Sequence, residues 1–179
     1  MKNKFHQVLL ILVVFILAAC QATPATPTAN PAVDFFKDQP ARWISVSLPT
    51  GWAARVGGTT NAPSVIVTDT ATQANSIFIL PLADKGSAEQ VLQVVLGRFN
   101  KLLILHTSNI VLEQVANQSY ASVEYQGKSA EQNNVAAYYL YTVISTAQRS
   151  VLVFTTVSLT QETSVKPVYQ NLVKGVTIH

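Results

Sequence analysis

The hydrophobic pattern divides the chain into an apolar leader, a polar spacer and a body of alternating segments. Residues 8–19 form an unbroken apolar run behind a start that carries Lys2 and Lys4. Residues 21–33 (QATPATPTANPAV) are small and polar with three prolines, and no comparable apolar run follows them. The pattern predicts a leader over residues 1–19, a tether over 20–40 and one globular domain over 41–179.

Period-two alternation predicts strands in the first part of the domain. In residues 43–48 (WISVSL) apolar and polar side chains alternate, which is typical of a half-buried strand. A Pro-Thr-Gly turn leads into residues 52–56, which we predict as the hairpin partner of that strand. After a loop over 57–63, residues 64–68 and 76–80 form two more β-rich runs.

The period then changes to that of a helix. Ser87 and Gln90 have the spacing of a capping box, and apolar residues follow at helical intervals. The sequence predicts an amphipathic helix over residues 88–103 that lies on a sheet. A shorter helix is predicted from Pro167 to Lys174, with Gly175 ending it in the C′ position.

Four further strands are predicted over residues 110–115, 120–126, 135–145 and 151–159. The second alternates and therefore has one wet face. The third and fourth are apolar on both faces, as central strands covered on two sides are. Residues 176–178 add a short terminal strand. Together these elements predict an α+β domain, in which an antiparallel β-sheet is flanked by helices.

The leader has the physical features of an export signal. As a helix, its apolar run would span about 18 Å, well short of the roughly 30 Å core of a bilayer. A basic start, a short apolar stretch and small residues before the cut are typical of a secretory signal. The leader ends in Leu17-Ala18-Ala19-Cys20, which resembles the lipobox of bacterial lipoproteins.

The lipobox resemblance implies that residues 1–19 are removed and that Cys20 carries diacylglycerol. The alternative is a plain signal peptide with a chance cysteine, but Cys20 is the only cysteine of the chain. A lipoprotein of this kind is held in the bacterial cell envelope, at the outer membrane or the outer face of the plasma membrane, with its domain extracytoplasmic. The proline-containing spacer would lift the domain roughly 40 Å from the lipid.

Charge removes one class of partner. The net charge of +3 includes Lys2 and Lys4, so the chain without its leader has ten basic and nine acidic residues. A domain so close to neutral lacks the basic patch that nucleic-acid binding requires. We expect no nucleic-acid partner.

Residues that could carry catalysis or bind a metal are few. There is no Gly-x-Ser-x-Gly elbow, and His106 and His179 lack the spacing of a zinc site. We expect His106 in a surface or loop segment and His179 to fray at the end of the chain. Glu113 and Glu124 could face each other on adjacent strands, although solvated strand positions explain them better. We predict no enzyme, no catalytic residue, no cofactor and no metal site.

Aromatic residues are the group that indicates a binding surface. Tyr138, Tyr139 and Tyr141 lie on one predicted strand, and Trp52 flanks the first turn. Such side chains can stack on a ligand or on a partner protein. The alternative is that they fill the core, as tyrosine and tryptophan do in most sheets. We predict these four residues as a candidate binding surface.

The order of the elements resembles that of the PsbP-like superfamily. The shared features are the early turn Leu48-Pro49-Thr50-Gly51-Trp52, one mid-chain helix, a meander of long strands and a closing helix with a short strand. The resemblance covers residues 42–178 and implies an α/β/α sandwich. The superfamily includes the extrinsic photosystem II subunit, a nuclear-import factor that binds a small GTPase, and bacterial lipoproteins of the DcrB and LpqN types.

The resemblance implies a membrane-anchored, non-enzymatic interaction or accessory module. Its partner would be an unidentified protein of an envelope or photosynthetic-type complex. The alternative function is a carrier or receptor for a small apolar ligand, which would need a sizeable apolar cavity.

The lipobox gives a direct prediction. Cys20→Ala is expected to leave the protein without lipid, because the thiol that accepts diacylglycerol is gone, so the chain is either released or retained with its leader. Metabolic labelling with a fatty acid and fractionation of the cells measure both effects. A variant that still incorporates label and fractionates like the wild type would refute the lipobox interpretation.

Overall fold

A computed structural model of the chain describes Val33 and residues 42–59, 62–98, 102–129 and 135–179. The predicted signal peptide, Cys20 and the rest of the predicted tether lie outside these residues. Within them the chain forms ten strands and two helices. In chain order the elements are β1 Ile44–Val46, β2 Trp52–Thr59, β3 Ala62–Asp69, β4 Ser76–Leu82, α1 Ala88–Arg98, β5 Leu102–Thr107, β6 Val111–Val115, β7 Gln118–Ser129, β8 Ala136–Ser145, β9 Ser150–Ser158, α2 Glu162–Lys174 and β10 Val176–Ile178.

Eight of the strands form one sheet in the order β2-β3-β4-β9-β8-β7-β5, and β6 also pairs with β7. All of these pairings are antiparallel, which confirms the predicted sheet type. β6 pairs with the first half of β7 and β5 with its second half. β5 and β6 together therefore make one edge of the sheet, and β2 makes the other. β1 and β10 form a separate two-stranded sheet.

Strand β8 divides the hydrophobic core into two parts. Successive side chains of a strand point to opposite faces of a sheet, and β8 is buried along almost its whole length. Its even-numbered apolar residues pack with Val165, Tyr169 and Leu172 of α2, on what we call the α2 face. Its odd-numbered residues pack with Leu92 and Val95 of α1, on the α1 face. The central position predicted for the two most apolar strands, β8 and β9, is confirmed.

Each helix covers only part of its face. α1 packs on β7 and β8, whereas α2 packs on β9 and β10. The two helices lie on opposite faces of the sheet, so the predicted sandwich arrangement is present but incomplete. The edge made by β5 and β6 projects beyond α2.

Helix α1 begins as predicted and ends early. Ser87 Oγ accepts the N–H of Gln90 at 3.2 Å, and Gln90 Oε1 accepts the N–H of Ser87 at 3.1 Å, which confirms the capping box. The helix stops at Arg98, and residues 102–107 form β5 instead of the end of the helix predicted over 88–103. The prediction was wrong here because the apolar residues of this segment pair with the long strand β7, and such tertiary pairing overrides local helical spacing.

The hairpin predicted between residues 43–48 and 52–56 does not form. β1 pairs with β10, and β2 pairs with β3 as far as Thr59 and Ala62, so residues 57–59 and 62–63 of the predicted loop belong to these strands. The β1–β10 pair confirms the predicted terminal strand. It forms because it buries four apolar side chains under α2, which a local hairpin would not do. These residues are Ile44, Val46, Val176 and Ile178.

The predicted tether meets the domain at β1. The N–H of Val33 donates to the carbonyl of Val46 at 2.9 Å, and the N–H of Val46 donates to the carbonyl of Val33 at 3.1 Å. Because β10 occupies the other side of β1, Val33 extends this small sheet on its free side. Val33 therefore marks where the preceding chain joins the α2 face.

Helix α2 ends at Lys174 as predicted, but its start and the conformation of Gly175 differ from the prediction. It begins at Glu162, and Pro167 lies inside it, because the apolar stripe that packs on the sheet already includes Val165. Gly175 ends the helix with a φ of −84°, so it does not adopt the left-handed conformation of a C′ glycine. A Cβ at Gly175 would lie 2.8 Å from the carbonyl oxygen of Ser47. The glycine is required by this close approach of two backbone segments.

The close approach predicts the effect of two matched substitutions. Gly175→Ala is expected to lower the free energy of unfolding by about 1–3 kcal/mol, because the added methyl group overpacks against rigid backbone. Gly97→Ala in α1 meets no atom within 4 Å and is expected to raise it by up to about 1 kcal/mol, through helix propensity. Urea unfolding of both variants measures the difference. Equal effects of the two substitutions would contradict the assigned role of Gly175.

Candidate functional site

A groove of about 450 Å³ opens on the α2 face, between helix α2 and the edge strand β6. Its floor is formed by β7 and β8. Three kinds of side chain line the groove. The apolar and aromatic ones are Val111, Val115, Tyr120, Leu140 and Val173, and the hydroxyl-bearing ones are Ser122, Thr142 and Tyr169. The charged and amide side chains are Glu113, Glu124, Lys174 and Gln170. Ligand pockets span roughly 300–1,000 Å³, so the groove is large enough to hold a small molecule or several side chains of another protein.

Strand pairing determines which β6 side chains face the groove. Glu113 lies opposite Tyr120, and Val111 lies opposite Ser122. Residues opposite each other on paired strands share a face, so Val111, Glu113 and Val115 point to the groove and the intervening residues point away from it. All β6 residues are exposed, and the main packing of α2 is on β9 and β10.

Three hydroxyl groups form a hydrogen-bonded chain across the floor of the groove. Tyr169 Oη lies 2.9 Å from both the carbonyl oxygen of Val153 and Thr142 Oγ1, which lies 2.9 Å from Ser122 Oγ. The phenol of Tyr169 donates its one hydrogen to these two acceptors, and either Ser122 or Thr142 can donate in the bond between them. Burial raises the pKa of Tyr169, which keeps the phenol protonated.

Ser122 is the member of this hydrogen-bonded chain that lies at the groove wall nearest β6. Its half-buried hydroxyl group lines the groove. A hydroxyl group can both donate and accept, so Ser122 gives the groove floor a polar contact for a ligand.

Glu124 of β7 links helix α2 and strand β8 at one end of the groove. Its Oε2 lies 2.8 Å from Lys166 Nζ of α2 and 2.5 Å from the phenol oxygen of Tyr138 in β8. Partial burial acts to raise the pKa of Glu124, but the hydrogen bonds from Lys166 and Tyr138 and the charge of Lys166 outweigh it and lower the pKa below its ordinary 4.5. Burial and this carboxylate raise the pKa of Tyr138. A carboxylate with a lowered pKa is a weak general base near neutral pH.

The four aromatic residues predicted as a binding surface do not lie on one surface. Tyr138 packs on the α2 face, whereas Tyr139 and Tyr141 pack on the α1 face, and each is at most 7% exposed. Trp52 is half-buried in β2, at the edge of the sheet opposite to β6. Cys20, the predicted lipidation site, lies outside the described residues.

Part of the predicted tyrosine group belongs to an aromatic row on the α1 face. Phe78 stacks on Phe154 with ring centroids 5.0 Å apart, and Phe154 stacks on Tyr141 at 6.1 Å. Tyr125 meets Tyr141 edge to face at 6.1 Å. The row crosses β4, β9, β8 and β7. These tyrosines thus pack across strands, which is the alternative that the sequence left open.

The two histidines differ in how they compare with their predictions. His106 is exposed on strand β5, which confirms a surface position. His179 does not fray, because its N–H donates to the carbonyl of Trp43 at 2.8 Å and its Nε2 lies 2.9 Å from Ser45 Oγ. Across the described ranges, no three His, Cys, Asp or Glu side chains are grouped so that they could hold a metal ion.

Glu113 and Glu124 both face the groove but do not form a pair of catalytic carboxylates. Glu113 lies opposite Tyr120, and Glu124 is four residues further along β7, which is roughly 13 Å of strand. Glu124 is already bound by Lys166. In the part of the chain that the structure describes, the carboxylate of Glu113 has no ion pair or hydrogen bond.

Sequence reasoning missed the residues that define the groove. Thr142 is the polar residue within the otherwise apolar stretch 137–144, and a buried hydroxyl in such a position needs a hydrogen-bond partner. That signal was available, but its partner Tyr169 lies on a helix far along the chain. Ser122 lies in the alternating segment 120–126, whose pattern indicates only that one face of the strand is wet.

Comparison with solved structures identifies the fold. Cyanobacterial PsbP (CyanoP) from Synechocystis sp. PCC 6803 matches with a TM-score of 0.57 at 14% identity, over 90% of this chain and 99% of that chain. LpqN, involved in cell envelope biogenesis of Mycobacterium tuberculosis, matches with a TM-score of 0.52 at 15% identity, over 75% and 82%. A mutant of the protein Mog1 matches with a TM-score of 0.53 at 13% identity, over 83% and 95%.

These identities show a shared fold and nothing finer. No protein-family model matches the sequence, and no protein of curated function matches it either. The chain has the PsbP-like fold, as the order of its elements predicted. Among the described residues, no helix is long and apolar enough to cross a membrane.

The lowered pKa of Glu124 predicts how stability depends on pH. A carboxyl group whose pKa is lower in the folded state stabilises the fold above its unfolded pKa, and that contribution is lost as the pH falls through the folded pKa. The stability difference between the wild type and Glu124→Gln is therefore expected to be constant above about pH 5 and to shrink below it. Urea unfolding from pH 7 to pH 3 measures this difference.

Gln93→Ala is the control for this prediction. Gln93 is exposed on α1 and carries no titratable group, so its substitution should change stability by the same amount at every pH. If the wild type and Glu124→Gln differed by the same amount at every pH, the carboxylate would not be held by Lys166 and Tyr138 as described.

Proposed function

We propose that the chain is a lipid-anchored, extracytoplasmic, non-enzymatic module that binds another protein through the groove and the adjoining β5–β6 edge. The partner is a protein of an envelope or photosynthetic-type complex. The observation that carries this proposal is the concentration of exposed apolar side chains on that edge.

Five of the ten large apolar side chains that the described residues expose lie on β5 and β6. They are between 48% and 57% exposed: Ile104, Leu105, Val111, Leu112 and Val115. Contiguous exposed apolar residues mark interaction sites on soluble domains. An unprotected edge strand is in addition a template for pairing with another chain. This side of the domain is therefore the best candidate for a protein interface.

The anchor is supported by the sequence and by the position of the tether. The lipobox places lipid on Cys20, and the spacer follows it. Val33 pairs with β1, whose side chains belong to the core of the α2 face. The chain thus reaches the domain on the same face as the groove, which favours a partner at or near the membrane.

The chemistry of the groove favours binding over catalysis. Ser122 is hydrogen-bonded to Thr142, and Glu124 is ion-paired with Lys166. The fold is shared with cyanobacterial PsbP and with LpqN, a protein involved in cell envelope biogenesis. That likeness supports an envelope or photosynthetic setting for this chain.

A small apolar ligand is the second candidate function. It is favoured by the volume of the groove, about 450 Å³, and by its largely apolar walls. Native mass spectrometry of the full-length protein that detects a retained small molecule, absent from a variant with Val115→Asp in the exposed wall of the groove, would favour this carrier function.

Site-directed photo-crosslinking tests the protein-binding function. A photo-crosslinking amino acid in place of Leu112, in the full-length protein in its own membranes, is expected to give an adduct with one protein of defined mass. The matched control is the same amino acid in place of Val56, which is 41% exposed on β2 at the opposite edge.

The adduct at position 112 should disappear when Val111 and Val115 are both replaced by aspartate, since these residues line the groove and are exposed. Equal adducts from positions 112 and 56, or no protein adduct from position 112, would contradict the proposed function.

A further inference from the structure

The outer side of β6 has unpaired backbone groups. β6 pairs with β7 on one side only, and among the described residues no backbone hydrogen bond reaches its other side. Proteins usually protect such an edge with proline, lysine or an inward-pointing charge. The sequence of β6, VLEQV, contains only Glu113 as a charge. The strand is therefore open to the addition of another strand.

The side chains around this edge favour an added strand of particular chemistry. The carboxylate of Glu113 lies between the exposed Val111 and Val115 on the groove side. This wall therefore offers a carboxylate between two apolar side chains. A strand paired with β6 would place alternate side chains beside these three residues. Apolar, basic and apolar side chains, in that order, complement them.

A second copy of the same chain fits this edge poorly. In a symmetric antiparallel pair of β6 strands, two residues that lie directly opposite each other point to the same face of the sheet. The register centred on Glu113 places two carboxylates together, and like charges directly opposite each other are destabilising. Registers centred on Leu112 or Gln114, which are shifted by two residues, place Glu113 opposite Val111 or Val115 of the other copy. None of these registers gives Glu113 a cation.

We propose, on the basis of the protein-binding function above, that β6 binds an extended segment of the partner protein as an additional strand. In that segment a Lys or Arg side chain pairs with Glu113, and the side chains two residues before and after it are apolar and meet Val111 and Val115. The added strand continues the sheet beyond β6, and main-chain hydrogen bonds supply much of its affinity.

A peptide that reads the same in both directions tests this without assuming parallel or antiparallel pairing. The probe is acetylated and amidated Ser-Val-Thr-Lys-Thr-Val-Ser, and its partner probe has Glu in place of Lys. Dissociation constants with the full-length protein in detergent micelles are measured by NMR titration. The wild type is expected to bind the Lys peptide at least about threefold more tightly than the Glu peptide, as cross-strand charge pairs imply.

A charge reversal in the protein provides the decisive comparison. Glu113→Lys is expected to reverse the preference, so that the Glu peptide binds more tightly. Asp69→Lys makes the same charge change at the end of β3, beside the opposite edge strand β2, and should leave the preference of the wild type unchanged. The NMR spectrum of each variant checks for wild-type folding.

Backbone methylation tests the strand pairing itself. Alternate N–H groups of a strand point to the same neighbour. Of two Lys peptides that are N-methylated on alternate residues, one is therefore expected to lose binding and the other to retain it.

Three results would overturn the strand addition: binding of neither peptide, equal binding of both, or retained binding of both N-methylated peptides. A dimer of the protein alone that protects the β6 amides from exchange would identify a second copy as the occupant and would also overturn it. If the photo-adduct at position 112 persists in any of these cases, the protein-binding function stands and only the strand-addition mode fails.

Discussion

The burial of β8 on both of its faces is the constraint on which the rest of the structure depends. Because neighbouring side chains of a strand point in opposite directions, the apolar run of β8 requires cover on two sides. α1 supplies one cover, and α2 with the β1–β10 pair supplies the other. The same alternation separates Tyr138 from Tyr139, so neighbouring tyrosines end in different halves of the core.

Two helices cannot cover the whole of this sheet. Seven strand positions at about 4.8 Å spacing make the sheet roughly 30 Å wide, whereas one helix covers about 10 Å. The two helices lie over the most apolar strands, and β6 is left exposed. The groove and the open edge are thus consequences of the same packing that stabilises the centre. The proposed binding residues lie beyond the part of the sheet that α2 covers. The hydroxyl chain and the Glu124–Lys166 ion pair connect α2 to the sheet beside them.

The fold was largely predictable from the sequence, and the site was not. Alternation in β7, the unbroken apolar runs of β8 and β9 and the capping box at Ser87 are local signals, and each is confirmed. Pairing of β1 with β10 joins segments about 130 residues apart, and the strand β5 exists only because β7 is long enough to pair with it. Neither is visible in a local pattern.

The four aromatic residues predicted as a binding surface do not lie on one surface, for a related reason. Tyrosine content identifies residues that can bind or pack, but exposure depends on where each helix lies. Ser122 and Thr142 are short polar residues whose importance comes from Tyr169, a residue of a distant helix. The resemblance to a superfamily predicted the order of the elements, whereas the lipid on Cys20 and the partner remain proposals based on sequence and geometry.

The central claim is that the β6 edge is the binding side of the domain, and hydrogen–deuterium exchange tests it most directly. The full-length protein is compared in its native membranes and after purification, with the amides of β2 at the opposite edge as the internal reference. Protection of β6 that is present in the membranes and lost on purification, with β2 unchanged, is the predicted result. Protection of β2 in place of β6, or identical exchange of β6 in both preparations, would contradict the claim.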